Sequence, residues 1–252
     1  MKLTLAEWFA GIGGFSVGAS REGIETVYFC ENDEFKLNVL KSHYPNAIYE
    51  TDIETAQGIY ADIYSAGFPC QDASAANPKG KGMEGPETGK FYLFMDLVRR
   101  FRPKFIILEN SPMLISRRGA LAVFGELAAC GYDAEWQIIG KRTFLFPDER
   151  ERFICIAYDN KIGWVSDKPI FNRIDYRVCE QQIRARNLES KFSGISFNSL
   201  WTNLINGLCP KVGGVSRSLD YKKDAPAISA YGDAICPDVA QLCFYLIKQF
   251  YG

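Results

Sequence analysis

The sequence predicts an α/β fold built on a mostly parallel sheet, and three observations carry that expectation. Strand-like and helix-like patterns take turns along the first part of the chain, a glycine-rich turn follows the first strand, and the regularity fails after about residue 160. Apolar stretches of period two mark strands and those of period 3.6 mark helices, and regular switching between them predicts parallel strands with helices on both faces. At 252 residues, 47% of them hydrophobic, the chain can bury a core for one large domain and a small insertion.

The elements follow in order. "LTLAEWFA" reads as a strand and "GIGG" as a tight turn, "FSVGASREG" as a helix ending at Gly23, and "ETVYFCEN" as a second strand. "DEFKLNVLKSHYP" is a helix that Asp33 caps, and "ADIYSAGFP" is another strand. Residues 77 to 90, "NPKGKGMEGPETGK", hold four glycines and two prolines, the composition of a long mobile loop. "FYLFMDLVRRFRP" has helical period, "KFIILEN" is a buried-type strand, "GALAVFGELAACG" is a helix ending at Gly131, and "ERFICIAYD" is a strand again. The pattern returns only in "APAISAYGDAICPDVAQLCFYLIKQF", with Pro237 near the start of an amphipathic final helix.

Composition excludes several classes. No apolar run approaches the roughly 18 residues of a membrane span. The stretch "MKLTLAEWFAGIGGF" has no basic start, long apolar run or cleavage site, so a cytoplasmic protein without membrane contact is expected. The eight cysteines stand at 30, 70, 130, 155, 179, 209, 236 and 243, never as C-x-x-C, so reduced thiols with no metal site and no disulfide framework are expected. Net charge is −1, but residues 161 to 223 hold eleven basic against five acidic residues, which makes that segment +6 and the remainder −7. A basic segment on an acidic body fits nucleic-acid binding, and equally a solvated face without a partner.

Candidate chemistry gathers at predicted strand ends, where open α/β sheets place their sites. Gly11, Gly13 and Gly14 let the backbone turn tightly and approach a ligand, although a glycine-rich turn alone is also plain turn chemistry. Glu31 ends the second strand, where an acidic residue can receive ribose hydroxyls, and Asp52 in "TDI" can receive an adenine amino group, so the pair suggests an adenosine-bearing cofactor. Cys70, in "SAGFPCQDAS", lies between a proline and a glutamine just past a strand, either as a nucleophile or as an inert half-buried thiol. Glu109 ends another strand, as an acid or as a structural cap. Arg150 and Arg152 alternate with acids in "PDERERF", so they point to one side, into a cleft or into surface ion pairs.

Together these pieces resemble the DNA (cytosine-5)-methyltransferase family. "FAGIGGF" is similar to its cofactor loop, "GFPCQDAS" to its Pro-Cys-Gln nucleophile motif, "ENSP" to its Glu-Asn motif, "ERERF" to its paired-arginine motif and "YGDAICPDVA" to its C-terminal Gly-Asn motif. The likeness covers residues 3 to 158 and roughly 212 to 250, in the family's order. It implies the Rossmann-like sheet of S-adenosylmethionine-dependent methyltransferases. Residues 1–160 and 212–252 would form the catalytic, cofactor-binding domain. Residues 161–211 would form a small irregular target-recognition domain, in which Trp164, Trp201 and the arginines between them contact DNA or build its own small core.

The same resemblance implies roles. Cys70 adds to carbon 6 of a cytosine flipped from double-stranded DNA, and carbon 5 then takes the methyl group. Glu109 assists at ring nitrogen 3, Arg152 holds the base's oxygen and Arg150 orients the nucleophile loop or a phosphate. S-adenosylmethionine, leaving as S-adenosylhomocysteine, would contact Phe9, Gly11, Gly13, Glu31, Asn32, Asp52, Ile53, Pro69 and Phe91, with Asp233 at the last motif. A monomer in a prokaryotic cell or encoded by a phage, in a restriction-modification setting, is what this implies. Four departures stand out: Asp233 replaces the family's asparagine, Asp148 replaces a glutamine, "ENSP" replaces Glu-Asn-Val, and the arginine-led motif before the last is reduced to "SRSLD". They leave the nucleophile intact and bear on cofactor affinity and turnover. An RNA or nucleotide pyrimidine methyltransferase, or a degenerate methyltransferase that only binds DNA, remains as an alternative.

Overall fold

A computed structural model describes residues 2–69, 89–116, 119–144, 150–162, 170–173 and 234–251. Seven strands form one sheet: β1 (Thr4–Trp8), β2 (Glu25–Cys30), β3 (Ile48–Glu50), β4 (Ile63–Ala66), β5 (Phe105–Asn110), β6 (Tyr132–Gly140) and β7 (Glu151–Asp159), in the order β3-β2-β1-β4-β5-β7-β6. The pairs from β3 through β5 are all parallel, whereas β7 runs antiparallel to both β5 and β6. From β1 the chain steps outward through β2 and β3, then crosses back to β4 on the other side of β1. The carboxyl ends of β1 and β4 therefore flank the switch point of the sheet, where an open α/β fold leaves a crevice.

Both faces of the sheet are covered, as near-continuous apolar strands require. One face packs Leu5, Ile63, Ile107 and Ile156 against Phe15 of α1 (Gly14–Arg21) and Phe244 of α7 (Pro237–Tyr251). The other packs Trp8, Tyr64, Ile106 and Phe153 against Phe94 of α3 (Lys90–Phe101) and Leu127 of α5 (Gly119–Ala129). Leu5 and Ala6 fall on opposite faces because strand side chains alternate. The remaining α-helices among the described residues are α2 (Glu34–His43), α4 (Met113–Ser116) and α6 (Ile170–Arg173). Asp33 caps α2 as the sequence predicts, its carboxylate accepting from the Lys36 N–H at 3.0 Å.

The final helix reaches back to α1 through a seam that only glycine permits. A Cβ on Gly14 would stand 2.6 Å from the Ile235 carbonyl oxygen, and one on Gly18 2.6 Å from the Gln241 nitrogen. Beside it, Gln241 Nε2 donates to Glu22 at 2.9 Å and Arg21 pairs with Asp238 at 3.4 Å. Two strands escape the sequence reading. β3 has only three residues, and β6 lies at the sheet edge with Trp136 43% exposed, so neither shows the apolar signature of a buried strand. The expected 77 to 90 loop falls outside the described residues except for Gly89 and Lys90. Most of the basic segment, including Trp164, Trp201 and the arginines at 177, 184 and 186, lies outside them too. No described helix is long and apolar enough to cross a membrane.

Candidate active site

A cavity of about 510 Å3 opens at the carboxyl ends of the parallel strands, across the switch point. Phe9, Gly11, Glu31, Asn32, Asp52, Ile53 and Pro69 lie on its wall, and so do Glu109, Arg150 and Arg152. The residues expected at the cofactor and those expected at the base therefore share one cavity. Cys70 and Asp233 lie outside the described residues, as does Asp148, while their neighbours Pro69 and Ala234 are on the wall.

The turn after β1 is shaped by three left-handed backbones, at Phe9 (φ 53), Gly11 (φ 59) and Gly13 (φ 83). Left-handed backbone is uncommon for a residue with a Cβ, so Phe9 is a conformation the surrounding fold imposes. A Cβ on Gly11 would meet nothing within 4 Å, and Gly11 faces open cavity. Gly13 differs. It is off the cavity wall, and a Cβ there would come within 2.9 Å of Leu40 on α2.

Glu31 braces this turn. One carboxylate oxygen accepts from the Gly11 N–H at 2.7 Å and the other from the Asp33 N–H at 2.9 Å. Burial raises its pKa, and these two bonds oppose the rise. Each carboxylate oxygen retains a further lone pair for a ligand. Asp52 is exposed and accepts from the Glu54 N–H at 2.9 Å, which fixes its carboxylate at the rim.

Across the cavity Glu109, nearly buried at the end of β5, pairs with Arg152: Nε to Oε1 is 2.5 Å. The antiparallel register that sets Glu109 opposite Ile154 brings the start of β7 alongside it. A Cβ on Gly67 would lie 3.2 Å from the second Glu109 oxygen, so glycine leaves that carboxylate room toward the cavity. Asn110 is buried, and its Nδ2 donates to the Phe68 carbonyl oxygen at 3.1 Å while its Oδ1 accepts from the Ser111 N–H at 2.8 Å. It thus ties the segment entering Cys70 to the end of β5.

Several wall residues had no place in the sequence reading of the cofactor site, and four of them bear on its chemistry. Glu7, inside β1, is 1% exposed, and its oxygens accept from the Phe15 N–H at 3.3 Å and the Ser16 N–H at 2.9 Å. Lys90 opens α3 on the wall, whereas Phe91, the residue expected there, is fully buried with its ring centroid 4.8 Å from that of Phe68. One residue turns a helix by about 100°, and that turn takes Phe91 into the core. Lys36 on α2 is another, and Cys30 at the end of β2 is the fourth, its thiol pushed up to about 12 chiefly by burial. Among the described residues no group of three His, Cys, Asp or Glu is placed to hold a metal ion.

A family model described as C-5 cytosine-specific DNA methylase matches residues 3–203. The chain belongs to that family. Among its curated relatives, the Type II methyltransferase M2.BsuMI of Bacillus subtilis (strain 168) is 34% identical over 59% of this chain and 40% of that protein. M.NgoBI of Neisseria gonorrhoeae, also a Type II methyltransferase, is 29% identical over 64% of this chain and 52% of that one. The chain thus matches about half the length of these family members. Among solved structures, a DNMT2 variant of Spodoptera frugiperda superposes with a TM-score of 0.63 at 15% identity, covering 100% of both chains, which establishes the shared fold. The seven-stranded, mostly parallel sheet with helices on both faces is accordingly the Rossmann-like fold of this methylase family.

Proposed function

We propose that this protein transfers a methyl group from S-adenosylmethionine to carbon 5 of a cytosine in double-stranded DNA, through transient addition of Cys70 to carbon 6. The observation that carries the reading is the facing of two residue sets across one cavity in a member of the cytosine-5 methylase family. Phe9, Gly11, Glu31 and Asp52 stand on one side, and Pro69 with the Glu109–Arg152 pair on the other.

The wall suits the cofactor. Gly11 leaves backbone open to a close approach, Glu31 keeps acceptor capacity for hydroxyl groups, Asp52 offers a rim acceptor for an amino group, and Ile53 and Phe9 supply apolar surface. When bound, S-adenosylmethionine supplies an electrophilic methyl group. The chain's own residues make carbon 5 reactive toward it. The Cys70 thiolate forms a bond to carbon 6, the electron pair of the 5,6 double bond moves to carbon 5, and Glu109, having taken up a proton from solvent, donates it as a hydrogen bond to ring nitrogen 3 to hold that charge. After transfer, a base from solvent takes the carbon 5 proton, the electrons of that bond restore the 5,6 double bond, and Cys70 leaves carbon 6 as the thiolate. Arg152 fixes Glu109 and offers its remaining N–H groups to the base oxygen, and Arg150 braces the nucleophile segment or a phosphate. Such an attack needs the ring face, which stacking covers, so the base leaves the duplex. Residues 161–211 would read the target, on the body formed by 1–160 and 212–252.

The test is a covalent complex with duplex DNA containing 5-fluorocytosine in the presence of S-adenosylmethionine. Fluorine cannot leave as a proton, so a denaturant-resistant adduct accumulates. Cys70→Ala protein should form none, and an equal yield from that variant removes Cys70 as the nucleophile.

A further inference from the structure

Thr51, Asp52 and Ile53 reach the cavity from a loop, residues 51–58, that leaves β3 and returns toward β4. Glu50, the last residue of β3, stands off the cavity wall and closes that loop. One of its carboxylate oxygens accepts from the Gln57 N–H and the other from the Gly58 N–H, each at 3.0 Å. A third donor comes from the core. The Tyr28 hydroxyl donates to the same carboxylate, and Tyr28 is fully buried, with its ring centroid 4.7 Å from that of Trp8. The parallel register that pairs Cys30 with Glu50 sets Tyr28, two residues back, on the same face of the sheet. Burial disfavours the charge on Glu50, and the bonds from Tyr28, Gln57 and Gly58 outweigh it, so its pKa lies below the ordinary value. The returning end is pinned as well: Arg100 of α3 donates to the Gln57 carbonyl oxygen at 3.3 Å, and Gly58 has a left-handed backbone (φ 63) where a Cβ would stand 3.0 Å from Trp8 and 3.1 Å from Phe101. Within the loop, the Asp52 carboxylate accepts from the Glu54 N–H at 2.9 Å. That local bond orients Asp52 relative to the loop, but it moves with the loop.

We propose that Glu50 is a positioning residue for base recognition: by joining both ends of the loop to the core through Tyr28, it sets the Asp52 carboxylate where the amino group of adenine meets it, and so makes the site select S-adenosyl over S-inosyl ligands. The proposal rests on the methyltransferase reading of the cavity. Hypoxanthine carries a carbonyl oxygen where adenine carries its amino group, so a carboxylate held in the right place faces an acceptor and repels it. Selectivity between the two bases therefore reports where Asp52 stands. A residue that only stabilises the fold has no reason to change it.

Calorimetry of S-adenosylhomocysteine and S-inosylhomocysteine gives that selectivity. The wild-type protein should prefer the adenine ligand about tenfold or more, and Asp52→Ala should lose most of the preference. Glu50→Ala should lose as much although Asp52 is intact, and adding Asp52→Ala to it should change the preference little further, because the two residues act through one contact. Tyr28→Phe removes one of the three donors and should lower the preference by a smaller factor. The full wild-type preference in folded Glu50→Ala protein overturns the proposal, whatever that variant's melting temperature. If Glu50→Ala does not fold, Tyr28→Phe decides, and an unchanged preference there overturns it. No preference in the wild-type protein, or the full preference in Asp52→Ala, removes Asp52 as the adenine acceptor and Glu50 with it. Failure of both ligands to bind overturns the methyltransferase reading itself, whereas a preference lost in Asp52→Ala and kept in Glu50→Ala removes Glu50 alone.

Discussion

The Asn110 side-chain amide donates to the Phe68 carbonyl oxygen at 3.1 Å, so the segment that leads into Cys70 hangs from the same strand end that presents Glu109. Asn110→Ala leaves that buried carbonyl without its donor, a loss of about 1–3 kcal/mol. Methylation turnover should fall at least tenfold while S-adenosylhomocysteine affinity changes little, because a loosened nucleophile affects the reacting geometry more than the cofactor side. Single-turnover methylation and a ligand titration on the same preparation separate the two effects.

Glu31 holds the glycine turn with both oxygens, so Glu31→Ala should do more than remove one cofactor contact. Losing charge-assisted bonds to the Gly11 and Asp33 N–H groups costs about 1.5–3 kcal/mol, or roughly tenfold or more in S-adenosylhomocysteine affinity. Calorimetry on the folded variant gives the number, and unchanged affinity would take Glu31 out of the site.

Gly18→Ala and Gly125→Ala should move stability in opposite directions. At Gly18 the added methyl meets the Gln241 nitrogen at 2.6 Å, and prying α1 from α7 should cost about 1–3 kcal/mol or more. Gly125 lies on the exposed side of α5 with nothing within 4 Å, so alanine there should stabilise by about 0.5–1 kcal/mol. Urea unfolding of the three proteins tests the pair. Equal midpoints would mean that the α1–α7 seam gives way freely.

Stability should fall as pH rises from about 4.5 to about 8, in so far as Glu7 governs it. Its carboxyl is held up to about 8 in the folded protein against an ordinary 4.5, so the folded state binds the extra proton. That advantage is complete below the ordinary value and is lost as pH climbs through the folded one, at up to about 1.4 kcal/mol per pH unit. Glu7→Gln should remove this slope. Denaturant midpoints of both proteins across the range measure it.

The basic segment should carry DNA affinity without cofactor affinity. Arg184→Ala or Arg186→Ala should lower the salt dependence of DNA binding by about one unit of slope if the lost contact is a phosphate. If it is a base, sequence preference should relax instead. S-adenosylhomocysteine binding should be untouched in either case. Sequence-specific methylation retained after deletion of residues 170 to 200 would place target reading elsewhere.

Local chemistry carried much of the outline. The turn after β1, the Asp33 cap, the strand ends at Glu31 and Glu109 and the carboxylate at Asp52 were legible because each depends on a few consecutive residues: glycines with left-handed backbone, an acceptor before a helix, an apolar run that stops, an acid in a short polar stretch. The short edge strand β3 and the half-exposed β6 escaped because partners, not their own apolar pattern, hold them in the sheet. Tertiary structure alone decided the rest. The Asn110–Phe68 bond spans 42 positions, and the seam of Gly18 with Gln241 brings the two ends of the chain together. Glu7 reads as an ordinary strand residue until α1 folds back to place its first N–H groups on the carboxylate. Whether Lys90 or Phe91 faces the cavity is settled by the rotation of α3 against Phe68, a packing choice that no single stretch of sequence contains.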